Sequence, residues 1–312
     1  MIAGDECKDR HSRMGGYMEA AFYRRFVVSA HCRPANRLVY QTDLEACKGL
    51  SDRLAQDHLF RARLQEAMAS GEVLPLHTER KGNDAKRILV LEPHSDDGIF
   101  SAGGYLLNAY RSGGVLHSLC VFSKGGDLER TRHRENQVVW EDALGATVCF
   151  AQLLDAPYRQ DAQAPVMLYR KTYRAVLSAI SKAMEWFSPE VVLAPLGIGD
   201  HVDHQLVNAA ARFLSSTHTE IAFLYYEDYP YCMNACVSSG QIAASCKTHQ
   251  PLYFDITAVF HDKVTLQHSY QSQHEYSKSQ VEEYAFNYAK SVAEDACEKN
   301  SHALYERFWA VP

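Results

Sequence analysis

Directly after an apolar run ending at Pro93 stand His94, Ser95, Asp96 and Asp97, three of which carry side chains able to bind a cation or move a proton. A second polar group, Asp200, His201, Asp203 and His204, follows another apolar run, Val191–Pro195. Taken alone, an acid in the first group could simply cap the next helix, and His201 with Asp203 could form an ion pair at a helix start. Two independent His/Asp groups, each after an apolar run and before a helical segment, argue for shared chemistry. A catalytic zinc typically takes three protein ligands from imidazole and carboxylate groups and keeps one position open for water. His94, Asp97 and His204 supply such a set. Water on a zinc ion ionises near neutrality, and Asp96 is placed to act as its general base. His201 lies three residues before His204, so both imidazoles can share one side of a helix. A protonated His201 would stabilise the oxyanion of a tetrahedral intermediate, with Asp203 holding its orientation or raising its pKa.

The elements that must position these groups are legible as short apolar runs separated by longer helical segments. The runs are Arg87–Pro93, Val115–Phe122, Ala146–Ala151, Val191–Pro195 and Ile221–Tyr226. Near-continuous apolar runs of this length suit strands covered on both faces, hence a parallel sheet. Between them lie helix candidates at Ala102–Ser112, Arg132–Leu144, Met167–Phe187 and Asp203–Leu214, each long enough for a right-handed crossover. The expected fold is α/β, a Rossmann-like doubly wound, mostly parallel sheet flanked by helices. Ligands bind such sheets beyond the carboxyl ends of the strands, which is where both polar groups fall.

Residues 1–85 read differently, with short β-like runs at Phe26–Ser29 and Leu38–Gln41 and an amphipathic stretch near Leu50–Met68. They are expected to form an N-terminal extension, a cap or arm, before a catalytic domain over 86–312. The 312 residues, with 46% hydrophobic and 22% charged, suit one packed α/β domain with additions. A net charge of −6 gives no basic footprint for nucleic acid. The charged start lacks a secretory apolar stretch and no run approaches a membrane span, so a cytoplasmic protein is expected. Nine scattered cysteines are then expected as free thiols.

The segments PHSDDG (Pro93–Gly98) and HVDH (His201–His204) resemble the paired motifs of the PIG-L/LmbE-like family of zinc-dependent N-acetylglucosaminyl deacetylases. The Gly103-Gly104 pair, the YYEDYPY segment (Tyr225–Tyr231) and the YQSQ that closes Lys263–Gln273 extend the resemblance over roughly residues 86–275. It implies zinc (Zn2+) held by His94, Asp97 and His204, with Asp96 as base, His201 stabilising the intermediate and Asp203 tuning His201. It further implies a small N-acylated substrate, an amino-sugar derivative, with Arg134, Glu135, Tyr226, Asp228 and Tyr231 as substrate contacts, Tyr229 beside them in the cleft wall. Ser95 and Gly98 stand where the family usually has Pro and often has Glu. Gly199 and Asp200 replace a Tyr sometimes found before the second motif, and the spacing from Arg134-Glu135 to Leu144-Gly145 is imperfect.

An amidase acting on a non-sugar acyl amide or a thiol conjugate is the alternative substrate class. A Rossmann-like nucleotide-binding module would require a phosphate loop, and no G-x-G-x-x-G follows the first strand. Homo-oligomerisation is left open by the sequence.

Overall fold

The computed structural model describes residues 38–40, 86–159, 170–233, 249–273, 277–296 and 302–310. Among these, eight strands form one sheet: β1 (Leu38–Tyr40), β2 (Arg87–Glu92), β3 (Val115–Cys120), β4 (Thr147–Phe150), β5 (Val191–Pro195), β6 (Ala222–Tyr226), β7 (Gln250–Asp255) and β8 (Tyr305–Ala310), in the order β1-β7-β8-β6-β5-β2-β3-β4. All neighbouring pairs are parallel except those of β8, which runs antiparallel to both β6 and β7. The mostly parallel sheet expected from the apolar runs is therefore present, and β2, β3, β4, β5 and β6 coincide with those runs.

The chain passes from β2 outward through β3 and β4, then returns to place β5 and β6 on the other side of β2. That reversal makes the β2/β5 boundary a topological switch point, where neighbouring loops diverge and leave a crevice. Both chemically dense loops emerge here. In-register contacts such as Ile88 with Leu116 on one side and Val191 on the other set the two strand ends level.

Helices α1 (Asp97–Arg111), α2 (Glu129–Gln137), α3 (Arg170–Phe187), α4 (Val202–Thr217), α5 (Phe260–Gln267) and α6 (Lys278–Asp295) cover the two faces. Alternation along β2 divides the core. Ile88 and Val90 join Leu106, Trp140, Val264 and Val292 on the face of α1, α5 and α6, whereas Leu89 and Leu91 join Ile180, Val207 and Leu214 on the face of α3 and α4. Burying both faces explains why β2 reads as a continuous apolar run. A π-helical turn, Val138–Ala143, continues α2. It absorbs an additional residue, a physical reason for the imperfect spacing between Glu135 and Leu144.

Strand β1 lies in the segment read as an extension and pairs in parallel with β7 at the sheet edge. The expected run Phe26–Ser29 and the amphipathic stretch near Leu50–Met68 lie outside the described residues. Cys120, Cys149 and Cys232 are free thiols. Among the described residues, no helix is long and apolar enough to cross a membrane.

Candidate metal centre

The loop after β2 turns immediately into α1, and this places His94 through Asp97 at the switch point. Asp96 occupies the N-cap position of α1, yet its side chain makes no capping hydrogen bond. Its half-buried carboxyl is thus not consumed by the helix, which removes the purely structural explanation for the acid. Burial and the neighbouring Asp97 raise its pKa to about 6. The buried Asp97 turns back and accepts the His94 backbone N–H on Oδ2 at 2.7 Å.

The loop after β5 contains Gly197, Gly199 and Asp200 at left-handed φ. At Gly199 a glycine is required twice over, because φ is 93° and an added Cβ would lie 2.4 Å from Tyr231 Cβ. This tight turn delivers His201 to the N-cap of α4, where its Nδ1 accepts the Asp203 N–H at 3.3 Å. An imidazole accepting on Nδ1 carries its proton on Nε2 when neutral. Burial, together with His94 and His204 nearby, lowers the His201 pKa to about 3. Both features favour a neutral His201 with its proton on Nε2 over the protonated imidazole expected from the sequence.

His94, Asp97 and His204 converge. Asp97 Oδ2 lies 3.3 Å from His94 Nδ1 and 3.3 Å from His204 Nε2. Ring nitrogens of His94, His201 and His204 all lie within 4.8 Å of one another, a spacing that can hold a metal ion. Each proposed ligand imidazole is held by carboxylate on its other nitrogen: His204 Nδ1 meets Asp228 Oδ1 at 2.6 Å, and His94 Nε2 meets Asp203 Oδ2 at 3.2 Å and Asp155 Oδ1 at 3.3 Å. Carboxylate–imidazole pairs of this kind fix the tautomer and aim of a metal-binding histidine. Buried His204 Nε2 makes no hydrogen bond and has the Asp97 carboxylate 3.3 Å away, a pairing that a cation between them would satisfy. The trio of ring nitrogens contains His201 and not Asp97, but imidazoles together with the Asp97 carboxylate 3.3 Å from two of them are donor types that fit zinc. A second cluster of His94, Asp155, His201 and Asp203 also has metal-like spacing, but Asp203 there is already paired with Arg159 at 2.5 Å.

The electrostatics favour a cation. Although burial opposes its charge, the imidazoles of His204 and His94 hold the Asp97 carboxyl below the usual range. Burial likewise opposes ionisation of Asp155, yet His94 keeps its carboxyl well below the usual range.

Several expected roles change. The fully buried Asp203 carboxylate lies within 4.8 Å of a His201 ring nitrogen, but its close partners are Arg159, the Ala156 N–H at 3.0 Å and His94. Asp228 is fully buried behind His204 and also accepts the backbone N–H groups of Gly197 and Ile198, so it organises the second loop and leaves no surface for substrate. Tyr226 is buried in the core, its hydroxyl donating to Leu91 O at 2.8 Å, and Tyr229 packs between Phe100 and Tyr288. Exposed Arg134 faces Asp142 at 3.7 Å, and Glu135 binds Ser272, so neither reaches the ligand set. Tyr231 does border it, with ring centroids 5.3 Å from His204 and 6.2 Å from His201.

Sequence reasoning missed Asp155, Arg159 and Arg132. Asp155 and Arg159 follow β4, a third strand ending on the same sheet edge, and that position was the available signal. Arg132 Nη1 lies 3.8 Å from Asp155 Oδ2 and lines the same cleft as His94, Ser123, Lys124 and Glu129.

Residues 89–214 match the PIG-L family, GlcNAc-PI de-N-acetylase. The 2'-N-acetylparomamine deacetylase of Streptomyces fradiae is 28% identical over 174 residues, covering 50% of this chain and 62% of that relative, so the chain spans less than two thirds of its length. Among solved structures, the A40926 pseudoaglycone deacetylase aligns with a TM-score of 0.58 at 21% identity, over 73% of this chain and 97% of that one. A deacetylase from the teicoplanin biosynthesis pathway aligns with a TM-score of 0.61 at 18% identity, over 72% of this chain and 97% of that one. At these identities the structural likenesses establish the fold.

Proposed function

We propose that the chain, whose residues 89–214 match the PIG-L family, is a zinc-dependent amide hydrolase that removes an acetyl group from the nitrogen of an N-acetylated amino sugar or glycoconjugate. The observation that carries this reading is the convergence of His94 Nδ1, Asp97 Oδ2 and His204 Nε2, with a carboxylate on the far nitrogen of each imidazole. The named substrates of relatives support the substrate class: one relative is called a 2'-N-acetylparomamine deacetylase, and a solved structure with a TM-score of 0.51 is an N,N'-diacetylchitobiose deacetylase from Pyrococcus horikoshii.

Zinc bound at His94, Asp97 and His204 would supply Lewis acidity toward the amide carbonyl and lower the pKa of water toward neutrality. Asp96 takes a proton from the attacking water on its uncapped carboxylate and returns it to the amine as the carbon–nitrogen bond breaks. Burial favours the protonated form of this carboxyl, which suits a group that takes up a proton and returns it. Neutral His201 donates from Nε2 to the carbonyl oxygen as negative charge grows on it, a preorganised contact worth several kcal/mol in comparable sites, about 3–4. Asp155 and Asp203 hold His94, and Asp228 holds His204, so the ligand nitrogens are aimed before substrate arrives.

The test is metal analysis of the purified full chain together with mass-spectrometric detection of acetate release from a panel of N-acetylated amino sugars and simple acyl amides. Stoichiometric zinc and preference for the sugars are expected. Turnover that survives complete chelation would reject the metal chemistry, and equal turnover of ring-free amides would move the substrate class.

A further inference from the structure

Glu92 is the last residue of β2, two positions before His94, and its side chain is fully buried. Its carboxylate points into the protein beneath the loop of ligands. Oε1 accepts the Gly98 backbone N–H at 3.1 Å, while Oε2 takes a short hydrogen bond from Ser118 Oγ and another from Asn136 Nδ2 at 3.3 Å. Asn136 Oδ1 is in turn bound by the Tyr270 hydroxyl at 2.8 Å. One carboxylate thus ties β2, β3, α2 and the segment after α5 to the amide that directly follows Asp97.

The first turn of a helix leaves backbone N–H groups without intrahelical partners, and the N-cap side chain normally satisfies one of them. Here the N-cap residue is Asp96, and it does not. Gly98 N–H receives its acceptor from the preceding strand instead. The space around Gly98 is shaped for this arrangement, because an added Cβ would lie 2.7 Å from Glu92 Oε1 and 3.0 Å from Val90 Cγ1. Gly98 has no left-handed φ, so what the position requires is room, and Glu92 fills it.

We infer that Glu92 is a positioning residue for the cation site: by capping α1 from outside the helix it fixes the Asp97 ligand and leaves the Asp96 carboxylate uncapped for proton transfer. The inference rests on the proposed metal centre. Without the Glu92 acceptor, the N-cap side chain of Asp96 is the ordinary acceptor for a first-turn N–H, and turning back onto it would commit that carboxyl to the helix and shift Asp97 with it.

The test uses the full chain and Co2+ alone as probe, read by its visible absorption, with kcat and KM measured separately. Glu92→Ala is expected to weaken Co2+ binding by about ten- to a hundred-fold, the range for lost outer partners of metal ligands, and to lower kcat with KM little changed. Glu92→Gln keeps an acceptor for Gly98 N–H and is expected to recover most of the affinity. Because Glu92→Ala empties a buried polar site and can impair folding, Gly98→Ala approaches the same contact by pushing the carboxylate away, and should reproduce the weakened binding. In the Glu92→Ala background, Gly98→Ala should add much less than it does alone, the contact with Val90 being all that remains. A parent chain that fails to bind Co2+ overturns the metal centre itself. A parent that binds, with Gly98→Ala and a folded Glu92 variant binding equally well, or with fully additive losses, overturns the role of Glu92 alone.

Discussion

His204 Nδ1 and Asp228 Oδ1 lie 2.6 Å apart with both side chains inaccessible to solvent, and this pair joins the first turn of α4 to the loop after β6, 24 residues on in sequence. Burial works against charge on the imidazole, but Asp97 and Asp228 together raise its pKa. The same Asp228 carboxylate accepts the N–H groups of Gly197 and Ile198, so the aim of His204 and the shape of the turn leading to His201 are set by one group.

Asp228→Ala is therefore expected to reduce zinc affinity by about ten- to a hundred-fold, as loss of an outer carboxylate partner does in other zinc sites. Asp228→Asn should lose less, since its amide oxygen can still accept from Nδ1. Competition titration against a chromophoric chelator measures both. Equal affinity in all three proteins would show that Asp228 only shapes the turn.

Ligands and base should separate cleanly by mutation. His94→Ala or His204→Ala is expected to lose both bound zinc and activity, whereas Asp96→Asn should keep zinc while kcat falls by about 10²- to 10⁴-fold, the usual contribution of general acid–base catalysis. Parallel metal analysis and steady-state kinetics decide it. Undiminished turnover in Asp96→Asn would assign the proton transfer elsewhere.

Arg159 and Asp203 form a buried pair at 2.5 Å, with the guanidinium 4.7 Å from the centre of the Phe122 ring. Removing one member of such a pair leaves an uncompensated buried charge, which costs up to about 3–5 kcal/mol. Arg159→Ala should show a loss of that order in urea unfolding, and adding Asp203→Asn should return part of it. Additive losses in the double variant would mean that the pair is not coupled.

The strands that precede the two His/Asp motifs were legible because β2 and β5 are buried on both faces and hence uniformly apolar. The antiparallel β8 was not legible, because Glu306 and Arg307 interrupt its pattern. Their charges are satisfied by Lys263, whose Nζ lies 2.7 Å from Glu306, and by Glu227, 2.6 Å from Arg307 Nε, partners too far along the chain for local periodicity to reveal. In the site, the two motifs could be read because each concentrates His and Asp immediately after a strand. Asp155 stands alone in a loop without histidines, and only strand order brings it to His94. Asp228 was noticed for its type and given the wrong surroundings: nothing local in YYEDYPY distinguishes a carboxylate lining a cleft from one sealed behind an imidazole.

His117 gives a pH-dependent stability that is separate from the proposed metal ligands. It is fully buried on β3, its ring centroid 4.9 Å from that of Trp186 and 5.1 Å from that of Phe187. Burial lowers its pKa from 6.5 to about 4. Between these values the unfolded chain holds a proton at this position that the folded chain does not, so stability rises with pH and is lost as pH falls from 6.5 toward 4. One such group contributes at most about 1.4 kcal/mol per pH unit. His117→Leu, which keeps an apolar side chain against the two aromatic rings, should flatten the acid limb by that single-proton slope while leaving the other titrations in place. Urea unfolding of both proteins across the acid limb reads the difference directly. If their stability curves run parallel throughout, the acid sensitivity belongs to other groups and His117 titrates alike in the folded and unfolded chain.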